Sequence, residues 1–313
     1  MKIALPPRRQ IVIILNPLAG ARRQGRLRAV IARLRRMGGQ VRVETTARAG
    51  DATRLARQID PTACDVVVAA GGDGTINEVA NGLVGSHLPL AIIPLGTANV
   101  LAAEIGLAQD TQSLASTILD GPAVAIYPGI ANGRYFLLMA GVGFDAEVVA
   151  AVTLRFKRWF GKAAYVMKSL ALLLRYDYPH FRIRIDGRDY NARSAIVTKG
   201  RFYAGRHMCA PNGGLTKPTF EVCIFERSGP LAVLRYGAAL LFGRLPYHRH
   251  VRLVSGRDIS VEGPARARVQ GDGDAFGTLP LHIGVAAETL ALVTPALRSL
   301  PAPLHESRVP QGS

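Results

Sequence analysis

The stretch Gly71-Gly72-Asp73-Gly74-Thr75 decides the fold, because it joins an apolar run to a helical pattern. Residues 65–70 have the composition of a buried parallel strand, and apolar residues recur at helical spacing over residues 76–83. Glycines at such a junction let a ligand approach the backbone, and the start of the helix offers unpaired N–H groups. This glycine loop, residues 71–75, therefore suits a phosphate. Thr75 is expected either to cap the helix or to place its hydroxyl on that phosphate.

The carboxylate of Asp73 is the only acidic group in the glycine loop. Because like charges repel, it is not expected to contact a phosphate directly. It can instead hold a cation, or a water that holds one. The loop therefore predicts a magnesium nucleotide, with Asp73 acting through the metal.

Two further loops follow strand-like runs in the same way. Residues 11–15 end in Asn16-Pro17-Leu18-Ala19-Gly20, and residues 90–95 end in Gly96-Thr97-Ala98-Asn99. In an open parallel sheet the carboxyl ends of the strands share one edge, where ligands bind. The chain has no G-x-x-x-x-G-K-S/T motif, and no G-x-G-x-x-G motif follows its first strand, which excludes ordinary P-loop enzymes and dinucleotide dehydrogenases.

Composition excludes several other classes. With 313 residues and 49% hydrophobic residues, the chain can form two domains and is not disordered. Cys64, Cys209 and Cys223 form no C-x-x-C pair, which argues against a zinc site or a disulfide framework and favours a reducing cytosol. The most apolar window, residues 230–242, is too short to span a membrane and contains Arg235.

The net charge of +17 has two interpretations. The basic residues can simply lie on a solvated surface, or they can attract the protein to an anionic membrane. A mixture of aromatic and basic residues over residues 155–168 is typical of an interfacial segment. Nucleic acid ranks lower as a partner, because no helix–turn–helix, zinc-finger or RNP pattern is present.

The order of patterns along the chain predicts two domains. Strands and helices alternate over residues 10–121, whereas short strands and turns dominate residues 122–289, with helices near residues 145–175 and 229–242. A strand at about residues 290–298 is expected to return to the first domain. The ends, residues 1–9 and 300–313, are expected to be flexible.

Taken together, these motifs resemble the diacylglycerol kinase catalytic family, which includes bacterial soluble lipid kinases and the sphingosine and ceramide kinases. The resemblance covers about residues 10–296, and the glycine loop is also shared with NAD kinases and phosphofructokinases. The other matching motifs are Glu44-Thr45-Thr46 with Gly50-Asp51-Ala52, Gly141-Val142-Gly143-Phe144-Asp145-Ala146, Phe202-Tyr203-Ala204-Gly205 with Ala210-Pro211, and Asp272-Gly273-Asp274.

The resemblance implies an NAD kinase-like α/β domain, with a mostly parallel sheet in three layers, and a β-rich, sandwich-like second domain. ATP with Mg²⁺ would bind in the cleft between them. Asp274 is then the general base, with Asp272 as runner-up, and Asp145 and Asp272 are candidates for contact with the lipid substrate. The candidate nucleotide-binding residues are Asn16, Pro17, Gly20, Thr46, Gly71, Gly72, Asp73, Gly74, Thr75, Glu78, Gly96, Thr97 and Asn99.

The chain departs from the family pattern in three places. Asp274 stands where similar bacterial enzymes have Glu, which shortens the reach by one methylene. Val100 replaces an Asp that often follows Gly-Thr-x-Asn. Leu215-Thr216-Lys217-Pro218 replaces an Asp-Asp-Gly ending, so a structural magnesium that some relatives carry there is in question, and Lys217 could supply the charge instead.

The resemblance implies phosphoryl transfer from ATP to the hydroxyl of a membrane lipid, with diacylglycerol as the first candidate. Sphingoid bases and ceramide are alternatives within the family, and NAD is a small-molecule alternative. A non-catalytic, nucleotide-binding membrane-surface protein is the alternative of another class. The expected location is the cytoplasm, peripherally at the inner face of the membrane, and the oligomeric state is left open, a homodimer included.

Overall fold

A computed structural model describes residues 8–19, 24–151 and 162–296 of the chain. The terminal segments predicted to be flexible lie largely outside these residues, but Arg8 and Arg9 lie within them. Arg8 is only 8% exposed; its N–H donates to Leu119 O at 3.0 Å, and its guanidinium donates to Gly121 O at 2.9 Å. The prediction of a loose arm is therefore wrong for Arg8, because the loop after a helix anchors it.

The helices and strands follow the predicted order, first alternating and then mostly strands. The first part of the chain contains β1 (Gln10–Leu15), α1 (Gln24–Arg36), β2 (Gln40–Thr45), α2 (Asp51–Arg57), β3 (Val66–Gly71), α3 (Asp73–Leu83), β4 (Leu90–Pro94), α4 (Val100–Glu104), α5 (Thr111–Asp120) and β5 (Ala123–Ile126). The second part contains β6 (Gly129–Ala131), β7 (Arg134–Phe136), β8 (Met139–Val142), α6 (Phe144–Ala151), α7 (Lys162–Leu173), β9 (Phe181–Ile185), β10 (Arg188–Ala192), β11 (Ser194–Thr198), β12 (Phe202–Tyr203), β13 (His207–Met208), β14 (Phe220–Phe225), α8 (Pro230–Leu241), a 3-10 helix (Leu245–Tyr247), β15 (Val251–Gly256), β16 (Ile259–Glu262), β17 (Arg268–Gly271), β18 (Asp274–Thr278), β19 (Leu281–Val285) and β20 (Leu290–Val293).

The first sheet has the strand order β2-β1-β3-β4-β20-β5. Strands β1 to β4 are parallel to one another, and β20 runs parallel to β4 but antiparallel to β5. The direction of the strand order reverses at β1. Because crossover connections are right-handed, this reversal places α1 on the face opposite α2 and α3. The crevice at such a switch point, between the ends of β1 and β3, is where ligands bind in open α/β sheets.

Two six-stranded antiparallel sheets form the second part, with the orders β10-β9-β16-β19-β6-β7 and β15-β14-β11-β8-β17-β18. Buried residues of both sheets share one hydrophobic core. Within it, Phe136 of one sheet stacks on Phe220 of the other, with ring centroids 5.9 Å apart. In β9 the side chains alternate between buried and exposed, as expected when one face of a sheet meets the core. The predicted fold class, an α/β domain with a β-sandwich, is confirmed.

The predicted boundary at residues 121–122 does not coincide with the end of the first sheet. Strand β5, which the sequence analysis placed in the second domain, pairs with β20 in the first sheet. Strand β20 itself fills the position between β4 and β5. The chain therefore leaves the first sheet after β5, builds the sandwich and returns for one strand. The division into two domains stays a prediction.

The two helical regions predicted within the second part are present as α6, α7 and α8. Most of the aromatic and basic residues noted between residues 155 and 168 lie outside the part of the chain that the structure describes. None of the described helices combines the length and the apolar character needed to cross a membrane.

Candidate active site

The loops after β1 and β3 meet at the carboxyl edge of the first sheet. Asn16 Nδ2 donates to Thr75 Oγ1 at 3.1 Å, and the Asn16 N–H donates to Ala70 O at 3.1 Å. Thr75 lies inside the first turn of α3 and is buried, whereas Gly72 is the N-cap. The capping role considered for Thr75 is therefore wrong, and its hydroxyl instead joins the two loops.

The loop after β4 packs directly against the glycine loop. A Cβ on Gly96 would lie 2.5 Å from Gly72 Cα, and a Cβ on Gly71 would lie 2.5 Å from Thr75 Cβ. Such distances exclude any side chain larger than hydrogen, so the two backbones form a continuous floor. Pro17 and Thr97 are exposed at its edge. Gly20 lies outside the described residues.

Asn99 leaves a hydrogen-bond acceptor available beside this floor. Its Nδ2 donates to Gly96 O at 2.8 Å, but its Oδ1 is buried and has no hydrogen-bond partner among the described residues. The residue adopts a left-handed conformation with φ of 48°, which asparagine tolerates better than most residues. A buried acceptor without a partner costs free energy, so the site fits a ligand that brings an N–H or O–H group.

Two of the predicted nucleotide-binding residues are engaged within the protein. Thr46 is buried, and its hydroxyl donates to Leu15 O at 3.3 Å. The Glu78 carboxylate accepts from the N–H groups of Gly50 at 3.0 Å and Ala52 at 3.3 Å. Glu78 thus stabilises the start of α2, where a negative charge is favourable.

Asp73 is the first residue of α3 and faces the start of α4. Its carboxylate accepts from the N–H of Leu101 at 3.4 Å. Val100, at the position where relatives often carry Asp, is 7% exposed and belongs to the hydrophobic core. Among the described residues, no group of three or more His, Cys, Asp or Glu side chains could hold a metal ion. Magnesium in nucleotide sites needs only one or two carboxylates beside the phosphates, a role that Asp73 could fill.

Asp274 brings the second part of the chain to the glycine loop. A Cβ on Gly74 would lie 2.9 Å from Asp274 Oδ2, so the carboxylate lies directly over the loop backbone. Asp274 is exposed and begins β18. The structure therefore places the sequence-predicted base against the sequence-predicted phosphate loop, where the sandwich meets the α/β sheet.

Asp272, two residues earlier, has a different environment. Its carboxylate accepts four hydrogen bonds of 2.7 to 2.9 Å, and the donors are Asn77 Nδ2 and the N–H groups of Leu137, Leu138 and Met139. Burial raises the pKa of Asp272 to about 6, and the four donors act in the opposite direction. Asp272 ties the turn to α3 and β8, which favours Asp274 over Asp272 as the base.

Sequence analysis missed Gln270, which links Asp145 to the same turn. Gln270 is 2% exposed; its Nε2 donates to Asp145 Oδ2 at 2.9 Å, and its Oε1 accepts from the N–H of Gly273 at 3.0 Å. Tyr203 donates its hydroxyl to Asp145 Oδ1, and burial raises the pKa of Asp145. The available signal was a glutamine in the short strand β17, directly before Asp272-Gly273-Asp274.

A buried ion pair also joins the two parts of the chain. Glu104, at the end of α4, accepts from Arg201 Nε at 2.8 Å and from the Arg201 N–H at 2.9 Å. The Glu104 side chain is 4% exposed and that of Arg201 is 33% exposed. Removing Arg201 would leave the Glu104 charge buried and uncompensated, so this contact stabilises the packing of the two parts.

Lys199 contacts the segment around Leu215-Thr216-Lys217-Pro218, which departs from the family pattern. It is fully buried, and its ammonium donates to Thr219 O at 2.9 Å and to Lys217 O. Burial lowers the pKa of Lys199 to about 8. Lys217 donates to Asn212 O at 2.7 Å. Lys199 therefore supplies a positive charge to two backbone carbonyl groups of this segment, and the suggestion that Lys217 replaces a magnesium ion stays a prediction.

Comparison with known proteins identifies the family. The profile of the diacylglycerol kinase catalytic domain matches residues 10–129, and that of the YegS C-terminal NAD kinase beta sandwich-like domain matches residues 139–294. A diacylglycerol kinase of Bacillus subtilis is 30% identical over 274 residues, which cover 86% of this chain and 90% of that relative. A diacylglycerol kinase of Staphylococcus haemolyticus is 28% identical over 90% of this chain and 87% of its own length.

A solved structure supports the same assignment of the fold. The crystal structure of a diacylglycerol kinase from Bacillus anthracis superposes with a TM-score of 0.73 at 24% identity, and it covers 92% of this chain and 97% of its own. The family resemblance seen in the motifs is thus confirmed over nearly the whole length. The chain belongs to the diacylglycerol kinase family, a family of lipid kinases.

Proposed function

We propose that this chain transfers the γ-phosphoryl group of ATP to the hydroxyl group of diacylglycerol. The position of the Asp274 carboxylate over Gly74 carries the proposal, because it brings a base to the loop that would bind the phosphates. The names of the relatives support diacylglycerol as the acceptor.

The proposed reaction is an in-line displacement at the γ-phosphorus. The lipid hydroxyl loses its proton to the Asp274 carboxylate while its oxygen bonds to the γ-phosphorus. The bond between that phosphorus and the bridging oxygen breaks, and ADP leaves. Positioning and charge neutralisation supply most of the acceleration in such transfers.

Each loop has a part in positioning ATP. The N–H groups at the start of α3 would bind phosphate oxygens, and Asn99 Oδ1 would accept a hydrogen bond from the nucleotide. When bound, Mg²⁺ neutralises charge on the phosphates, and Asp73 would hold it directly or through water. Gln270 and Asp145 would fix the turn that carries Asp274, because Gln270 bonds to both Asp145 and Gly273.

The acceptor resides in a bilayer, so the enzyme must work at a membrane surface. The net charge of +17 supports peripheral attachment to anionic lipid at the cytoplasmic face, since each nearby basic residue contributes about 1 kcal/mol.

The test is phosphate transfer from labelled ATP and Mg²⁺ to a panel of lipids in mixed micelles. The panel contains diacylglycerol, monoacylglycerol, a sphingoid base and ceramide, with NAD as a soluble acceptor. We expect labelled product with diacylglycerol, and none with the Asp73→Asn variant. If labelled product forms with only one of the other acceptors, that acceptor is the substrate and diacylglycerol is not. No product with any acceptor, while ATP still binds, would refute the kinase assignment in favour of nucleotide sensing.

A further inference from the structure

Helix α8 is apolar on two opposite faces. One face lies against the core through Ala232, Tyr236 and Leu240. The other face carries Leu231, Leu234 and Leu241, which are 59%, 51% and 67% exposed. A helix that is apolar all round is normally buried, so the outer face of α8 lacks a partner within the described chain.

The exposed surface continues beyond the end of α8. Phe242 is 78% exposed, and Tyr247, in the following 3-10 helix, is 81% exposed. A single exposed leucine needs no explanation, but five large apolar side chains within one helix and its following turn mark an interaction site. We call this set the α8 surface; its members are Leu231, Leu234, Leu241, Phe242 and Tyr247.

The charge around the α8 surface identifies its partner. Arg235 lies on the outer side of the helix, and Arg244 and Arg249 are exposed in the following turn. Between Arg227 and Arg257 the sequence contains no Asp or Glu. Exposed leucine and aromatic side chains with arginines beside them match the acyl chains and anionic head groups of a bilayer surface.

The α8 surface is connected to the candidate active site through one β-ribbon. Helix α8 packs against β13, and β13 pairs with β12. Tyr203 of β12 donates to Asp145, which Gln270 links to the turn that carries Asp274. Helix α8 is thus linked to the turn that carries Asp274 through this ribbon, Asp145 and Gln270.

We propose that the α8 surface docks the enzyme onto an anionic lipid bilayer, inserting its leucine and aromatic side chains among the lipids. The choice of a bilayer rests on the proposed function, since the substrate of a lipid kinase lies in one. A second copy of the chain is the competing occupant, and the experiment distinguishes it.

The test is sedimentation of the full chain with vesicles of phosphatidylcholine alone or mixed with phosphatidylglycerol. The variant is Leu231→Gln with Leu234→Gln, and the matched control is Val43→Gln, an exposed apolar side chain on β2. We expect binding to the anionic vesicles to weaken at least about tenfold in the double variant and to be unchanged in the control. Arg235→Gln should weaken it about fivefold, and only at low salt.

Several results would overturn the docking surface. One is that the double variant binds the vesicles as tightly as the wild type. Another is that the wild type binds neither kind of vesicle. A wild-type dimer that becomes monomeric in the double variant would assign the surface to a second copy. A failure of the proposed kinase function would give a different result. If the wild type transfers phosphate to no lipid but the double variant still loses vesicle binding, the kinase proposal fails and the docking surface is supported.

Discussion

The glycine loop and the Asp272-Gly273-Asp274 turn face each other across the cleft, but they are held in different ways. The glycine loop is held by its own strand and helix and by the loops after β1 and β4, all within 59 positions of it. The turn depends on distant groups, because the donors to Asp272 come from residues 133 to 195 positions away. The first part of the chain therefore builds the phosphate side of the site, whereas the base side depends on contacts between the two parts.

The same contrast separates the two carboxylates of the turn. Asp272 is saturated with hydrogen bonds from the protein, whereas Asp274 is exposed and lies over Gly74. We therefore expect Asp272 to contribute mainly to the stability of the fold and Asp274 mainly to turnover.

The largest effect is expected for Asp274→Asn. Loss of the general base should lower kcat by roughly 10³-fold, because positioned acid–base groups contribute 10² to 10⁴. Thermal stabilisation by magnesium ATP should persist. Asp258→Asn, an exposed carboxylate elsewhere in the second part, is the control. If the kcat of Asp274→Asn were close to that of the control, Asp274 would not be the general base.

Asp272→Asn should act on stability. The amide can accept fewer of the four hydrogen bonds, so the free energy of unfolding should fall by about 3 kcal/mol. Urea denaturation measures this, with Asp274→Asn expected within about 0.5 kcal/mol of the wild type. If the two variants had equal free energies of unfolding, the proposed structural role of Asp272 would be wrong.

Gly96→Ala tests the floor of the phosphate side. The added methyl would lie 2.5 Å from Gly72 Cα, so the two loops must separate. We expect about 2 kcal/mol of destabilisation and about tenfold weaker ATP binding, measured by calorimetry. Gly284→Ala, where a methyl meets no atom within 4 Å, is the matched control. A fully stable Gly96→Ala protein would show that the loops are not in rigid contact.

Glu78→Gln should have the smallest effect. Because its carboxylate accepts from Gly50 and Ala52 at the start of α2, we expect a loss of about 1 kcal/mol in unfolding free energy. ATP affinity should stay at the wild-type value. A lower affinity at unchanged stability would instead support the nucleotide-binding role predicted from sequence.

Sequence reasoning succeeded where chemistry and local structure coincide. A glycine run between a valine-rich strand and an amphipathic helix indicates both a parallel sheet and a phosphate loop, and Asp274 could be chosen by resemblance. It could not show that Asp272 is a structural residue, since its donors become neighbours only in the fold. It also missed Gln270 and Lys199, because a polar side chain within a strand pattern does not reveal its buried partners.

The return of the chain through β20 has a consequence for biosynthesis. The first sheet has a gap between β4 and β5 until residues 290–293 are available, and nearly all of the sandwich is translated before them. During translation, the edges of β4 and β5 that later pair with β20 would therefore stay unpaired. Such strand edges are prone to non-native pairing. The first sheet, although most of its strands are translated early, can therefore be completed only after the sandwich has been translated.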